Sequence, residues 1–215
     1  MKTKFFTCFI AILLSFSFAY GQKIEKELGE IKKLDLTGGI YTLKQGDSKI
    51  IYNGANDEIL NMIYYSIKQT LNIQTSSNVE LYLNDIENIN IKEVAKLSIV
   101  DTFFTNYLKI KVDEASKADI VVNCDTLELI ASEASYIKAS GRCKYLKINA
   151  DEASYVNAAK LEAQCANVLA SEASGASVIA SDSLNITAKE ASYITYFGKP
   201  NHLKFTKEEF SFITN

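Results

Sequence analysis

Glu-Ala-Ser recurs five times in this chain at almost equal spacing, within "DEASKADI", "SEASYIKA", "DEASYVNA", "SEASGASV" and "KEASYITY". The central alanines are Ala115, Ala134, Ala153, Ala173 and Ala191, with steps of 19, 19, 20 and 18. Repeats of about this length stack one unit on the next as a solenoid, because a single unit is too small to bury its own apolar face.

Columns read through the repeat give the local structure. Five residues before each alanine stand Ile110, Leu129, Ile148, Val168 and Ile186. Seven before stand Leu108, Leu127, Leu146, Ala166 and Leu184, and three before stand Val112, Ala131, Ala150, Ala170 and Ala188. Mostly polar residues separate them, as in "LKINA", and a period of two means a strand with one buried face. Positions three and five after the alanine trade volume: Ala118 with Ile120, Ile137 with Ala139, Val156 with Ala158, Ala176 with Val178. Close packing gives a shared slot nearly constant volume, so both positions face one core. The stretch "INIKEVAKLSI" is a degraded sixth unit, with Ile89, Ile91, Val94, Leu97 and Ile99 in these columns and Glu93 in the glutamate column.

About 19 residues hold two or three short strands with tight corners, and no long helix. The expected fold is all-β: a single-stranded, right-handed parallel β-helix with strands ~4.8 Å apart. A leucine-rich repeat has units of similar length but needs an Asn-type ladder and a spaced helical or extended segment, and neither is visible. Glu-Ala-Ser reads as the corner. Its alanine is expected to point inward where the coil is narrow, with Glu and Ser pointing outward or bonded to backbone. Ala153→Leu is then expected to overpack the corner and cost about 1–3 kcal/mol.

The first residues read as an export signal. Lys2 and Lys4 precede an apolar run from Phe5 to Phe18, and Ala19-Tyr20-Gly21 supplies small residues before a cut ahead of Gln22. The run is too short to favour a membrane span, and Cys8 inside it lacks a lipid-attachment box. Without Lys2 and Lys4, 21 basic side chains face 26 acidic ones, with Arg142 the one arginine. That balance argues against nucleic acid and anionic membrane surfaces as partners. Residues 1–21 are thus a signal peptide, 22–81 an N-terminal cap region, 82–196 the regular coils and 197–215 a C-terminal cap. Within the first cap, Asn56 or Asp57 begins a short helix with Ile59, Leu60, Ile63 and Ile67 as its apolar stripe.

The N-terminal half carries a further signature. "LTGGIYTLKQGD", then "NDEILNMIYYSI" and "TLNIQT", followed by the Glu-Ala-Ser units and "YFGKP", resembles the auto-transporter adhesin head GIN domain family of bacterial secreted proteins. The resemblance covers about Glu27 to Phe212. It implies a right-handed β-helix and surface adhesion or ligand binding, with no established reaction. The family usually has Gly where this chain has Glu, and a non-glycine there implies that a positive φ is not required.

Three groups of side chains are candidate sites. Tyr136, Tyr155 and Tyr193 share the column two after the alanine, with Lys117 and Gly175 also in it, and form a platform for a glycan or an envelope protein, or an ordinary cross-strand stack. Glu114, Glu133, Glu152 and Glu172, with Glu93 and Glu190 in the same row and Asp113 and Asp151 nearby, are either a solvated ladder or an alternative calcium site. Cys124 and Cys143, 19 apart, are neighbours on adjacent coils, as free thiols or as a disulfide, while Cys165 lies in another column. His202 is the one histidine, which removes most zinc sites and His-based triads. Asp119, Asp125 and Arg142 offer the alternative of a carbohydrate-active lyase or hydrolase. The expected function is a secreted, non-enzymatic binding or adhesion module in the periplasm or at the cell surface, with a purely structural envelope protein as a further alternative.

Overall fold

The structure is a computed structural model, which describes residues 23–53, 61–65 and 68–215. The export signal therefore lies outside the described residues, as do Asn56, Asp57, Ile59, Leu60 and Ile67 of the expected helix. Where that helix was expected to continue, Asn61–Tyr65 is a strand, paired antiparallel with Thr70–Gln74. Among the described residues no helix is long and apolar enough to cross a membrane.

The repeat region forms a parallel β-solenoid. Its strands are β10 (Phe103–Val112), β11 (Lys117–Ala131), β12 (Tyr136–Ala150), β13 (Tyr155–Ala170) and β14 (Gly175–Ala188). Each pairs in parallel with the next, one coil on: Lys117 faces Tyr136, Leu129 faces Ile148, and Ala150 faces Ala170. The long strands bend around the axis, so β11 meets β9 (Lys96–Ile99) at its start and β10 along the rest. β15 (Tyr193–Phe197), β16 (His202–Lys207) and β17 (Phe212–Thr214) carry the same columns forward. The columns read from the sequence are inward: Ile110, Leu129, Ile148, Val168 and Ile186 are buried, and so are both members of each volume-trading pair from Ala118/Ile120 to Ala176/Val178.

The N-terminal coils stack out of chain order. β2 (Lys33–Thr37) pairs in parallel with both β6 (Thr70–Gln74) and β8 (Asn88–Lys92). β3 (Ile40–Gln45) pairs likewise with both β7 (Asn78–Leu83) and β9. The coil of β2 and β3 thus lies between a coil that follows it in sequence and the one that follows that. Antiparallel strands flank these coils: β4 (Lys49–Asn53) pairs with β7 and with β1 (Lys23–Glu27), and β5 (Asn61–Tyr65) pairs with β6. β1 reads Lys-Ile-Glu-Lys-Glu and is mostly exposed, the charged kind of edge that discourages further strand pairing.

Candidate functional site

The corner comes first, because it sets where every outward side chain points. Glu-Ala-Ser is a corner, but its alanine does not face inward. Ala115, Ala134, Ala153, Ala173 and Ala191 are all exposed, and the serines Ser116, Ser135, Ser154, Ser174 and Ser192 are buried. The cause is backbone conformation. Each glutamate and alanine has positive φ, near +50° and +60° respectively, as at Glu133 (53°) and Ala134 (60°). Two consecutive left-handed residues break the strand alternation and turn both side chains outward. The absence of glycine therefore did not mean the absence of positive φ. Val94, in the alanine column of the degraded unit, is likewise 74% exposed. Ala153→Leu consequently has no core to overpack, and a change within about 0.5 kcal/mol is expected.

Backbone and serine hydrogen bonds hold the strained corner. The Ala134 N–H donates to the Glu152 carbonyl at 2.9 Å, and the Ala153 N–H to the Glu172 carbonyl at 2.9 Å, coil after coil. Ser154 Oγ donates to the Ala131 carbonyl at 2.8 Å and accepts the Asp151 N–H at 3.0 Å. Ser174, Ser192 and Ser211 repeat both bonds. The buried hydroxyl is thus the polar centre of each turn. Sequence reading missed two further corners of this type. One is Gly38-Gly39, with φ of 61° and 63°; the other is Glu209-Phe210, with φ of 47° and 59°, followed by buried Ser211. "KEEFSF" placed under "AKEASY" carries the signal for the second, since Ser211 follows Ser192 by 19.

The glutamates form the expected outer row, and all are exposed. Asp151, Glu190 and Glu152 around Glu172 raise its carboxyl above the ordinary value, Asp151 contributing most, with some loss of hydration adding to the shift. Asp113 instead accepts from Ser132 and pairs with Lys111 at 2.5 Å, and Asp151 accepts from Ser171 at 2.7 Å. Among the described residues no three His, Cys, Asp or Glu side chains converge as metal ligands.

The tyrosine column assembles. Tyr136 and Tyr155 stack with centroids 6.0 Å apart and planes at 23°, and Tyr155 and Tyr193 at 5.7 Å and 22°. The second pair spans two coils, because Gly175 lies between them in register. A Cβ on Gly175 would stand 2.5 Å from the Tyr193 ring. The missing side chain lets Tyr155 and Tyr193 close over the intervening coil, and Tyr155 Oη meets Ser177 Oγ there at 2.5 Å. Burial, with Tyr155 beside it, raises the Tyr193 phenol above its ordinary value. Lys117 precedes the tyrosines in this column and Phe212, 65% exposed, follows them.

Of the residues of the enzyme alternative, Asp125 and Arg142 line one groove and Asp119 lies outside it. Asp119 pairs with Lys138 at 2.9 Å, Asp125 with Lys144 at 2.7 Å, and Arg142 with Glu162 at 2.8 Å. That groove, of about 650 Å³, follows the column of small residues Cys124, Cys143, Ala163 and Ala180. Cys124 and Cys143 are Cα partners with free thiols. Burial pushes the first up to about 11 and the second, helped by Cys124 beside it, up to about 12. Cys165 lies in another column, opposite Tyr145. A second groove, of about 520 Å³, lies over the N-terminal coils, where Asn90 donates to Asp35 at 2.6 Å.

The comparisons with known proteins agree on the fold. The crystal structure of a "putative adhesin" from Bacteroides fragilis superposes with a TM-score of 0.82 at 16% identity, covering 90% of this chain and 96% of that one. A "putative lipid binding protein" from Parabacteroides distasonis gives 0.71 at 12% identity, covering 91% and 96%. A "putative adhesin" from Parabacteroides merdae gives 0.68 at 12% identity, covering 90% and 95%. No curated protein matches the chain. Residues 33–200 match the family described as "Putative auto-transporter adhesin, head GIN domain", and the chain belongs to that family.

Proposed function

We propose that this chain is an exported, non-enzymatic adhesion module that binds a glycan or an envelope protein through its outer aromatic column. The observation that carries the proposal is the stack of Tyr136, Tyr155 and Tyr193 on a rigid sheet face, continued by exposed Phe212. Exposed aromatic side chains gather toward this end of the solenoid: Tyr193, Phe197, Phe210 and Phe212 are 48%, 40%, 91% and 65% exposed. Clustered exposed apolar surface on a folded protein is a mark of contact with a partner, and tyrosine supplies flat area together with a hydroxyl. The adhesin names borne by the family and by two of the structural neighbours support the same class of function. Asp119, Asp125 and Arg142 are each engaged in an ion pair, which supports the non-enzymatic reading.

A glycan array and a capture experiment from envelope extract test the proposal. The comparison is between the natural chain and a Tyr136→Ala, Tyr155→Ala, Tyr193→Ala variant whose circular dichroism shows a folded β-protein. Loss of capture by the folded variant is expected. Equal capture by both overturns the role of the column, and release of cleaved product from a captured polysaccharide overturns the non-enzymatic reading.

A further inference from the structure

Cys124 and Cys143 are neighbouring free thiols away from the aromatic column. We propose that Cys124 and Cys143 form a two-coordinate thiolate site for a soft monovalent cation, copper(I) or silver(I).

The spacing carries the inference. The two cysteines are register partners on adjacent parallel strands, β11 and β12. Such strands lie ~4.8 Å apart, and in-register side chains leave the sheet in the same direction. Their Cβ atoms are therefore held at about that distance, whereas a disulfide wants them at about 3.8 Å. A metal–thiolate bond is about 2.3 Å long, so two laid end to end span ~4.6 Å. A cation between the sulfurs fits the coil spacing with no backbone movement. Zinc asks for four ligands, and no third His, Cys, Asp or Glu completes a set among the described residues. Two thiolates alone suit a soft ion that accepts linear coordination.

The surroundings fit the same ion. Both cysteines line a groove, which gives a path from solvent, while each stays 5–6% exposed. Binding converts two thiols and one monovalent cation into a bis-thiolate complex of net charge −1, releasing two protons with no change of oxidation state. The groove carries Arg142, Lys144 and Lys199 against Asp125 and Glu162, an excess of one positive charge that complements the complex. The next two positions of the column are Ala163 and Ala180, so alanine is already accepted in this slot. That makes Cys→Ala the conservative variant.

The test is anaerobic titration of the reduced full chain with copper(I) alone against a chromophoric chelator. One equivalent held per chain is expected, with the same affinity in Cys165→Ala. Cys124→Ala and Cys143→Ala are each expected to lose about 100-fold or more, the usual return for joining two weak contacts in one site. Silver(I) is expected to raise the melting temperature of the natural chain and of Cys165→Ala, but of neither groove variant. Unchanged affinity in either groove variant overturns the proposal. So does independent uptake of one ion by each thiol, or failure of the reduced chain to hold one equivalent.

Discussion

The coils before Phe103 and those after it fill the same kind of interior differently. Among the described residues from Ile31 to Ile99, the buried apolar side chains are leucine, isoleucine, valine and tyrosine, with Ala95 the only alanine. From Ala118 to Ala188 eleven buried alanines alternate with larger residues. The first set stacks out of chain order and carries antiparallel flanking strands; the second winds in strict sequence. Their corners differ as well. Before Phe103, Gly38-Gly39 takes positive φ without a Cβ and Glu93-Val94 takes it with Ala95 in the serine position, while the Glu-Ala corners after it are each followed by a buried serine. A regular solenoid gains packing from small, repeated slots, and it needs polar corner bonds to keep each turn in a costly conformation.

Substitutions at the tightest contacts of each region should separate these two modes. The largest effect is expected at Gly141, where φ is +111° and a Cβ would lie 2.0 Å from the Val122 carbonyl oxygen. Gly141→Ala forces backbone against backbone, and a loss of about 4 kcal/mol is expected in denaturant unfolding. Next comes Leu34→Ala in the large-residue coils, where Leu34 is fully buried, at about 2–5 kcal/mol. The mirror change, Ala150→Leu in the alanine coils, should cost about 1–3 kcal/mol by overpacking. If Ala150→Leu is neutral, the later coils are not the tighter ones and the contrast fails. Ser154→Ala follows, at about 0.5–1.5 kcal/mol, because the Asp151 N–H and the Ala131 carbonyl each lose their bond to the hydroxyl and keep the 2.9 Å bond between them.

How far the sequence disclosed this architecture follows from the same contrast. The period, the inward columns and the pairing of Cys124 with Cys143 were legible because each coil repeats the last in register. The tyrosine stack was legible as a column, but its closure over Gly175 was not, since a missing side chain gives no sign of what leans across it. The interleaving of β2 and β3 between later coils was hidden, because alternation identifies a strand without naming its neighbour. The orientation of Glu-Ala-Ser was misread for a local reason. Apolar content suggested that alanine faces inward, yet the serine goes in, because the turn's backbone groups need a buried partner more than the core needs one methyl group.

The strain in the later corners can be tested by relieving it. Ala134 sits at φ +60° and is exposed, so Ala134→Gly removes a left-handed penalty and no packing. Glycine also gains freedom in the unfolded chain, which returns part of the benefit. A net stabilisation of about 0.5–1 kcal/mol is expected, read as a higher denaturant midpoint. The matching change at the other kind of corner, Gly39→Ala, should destabilise, since its Cβ would stand 2.7 Å from the Thr75 side chain and 2.9 Å from the Ser77 carbonyl. If both changes shift stability in the same direction, conformational strain is not what distinguishes the corners.

The smallest effect is electrostatic and belongs to the glutamate row. Asp151 first, then some loss of hydration, Glu190 and Glu152, raise the Glu172 carboxyl above its ordinary value of 4.5. An acid with a raised folded-state value binds its proton more tightly in the native protein than in the unfolded chain. Its contribution to stability is therefore complete below the unfolded value and is lost as the pH rises through the folded one. Glu172→Gln removes the charge, so the variant should melt slightly above the natural chain at neutral pH. The difference should close as the pH falls below 4.5 and should shrink in high salt, because the row is exposed and screened. A variant that melts lower than the natural chain at neutral pH would mean that the carboxylate holds the corner through a bond rather than straining it by repulsion. The glutamates would then join the serines as part of the turn.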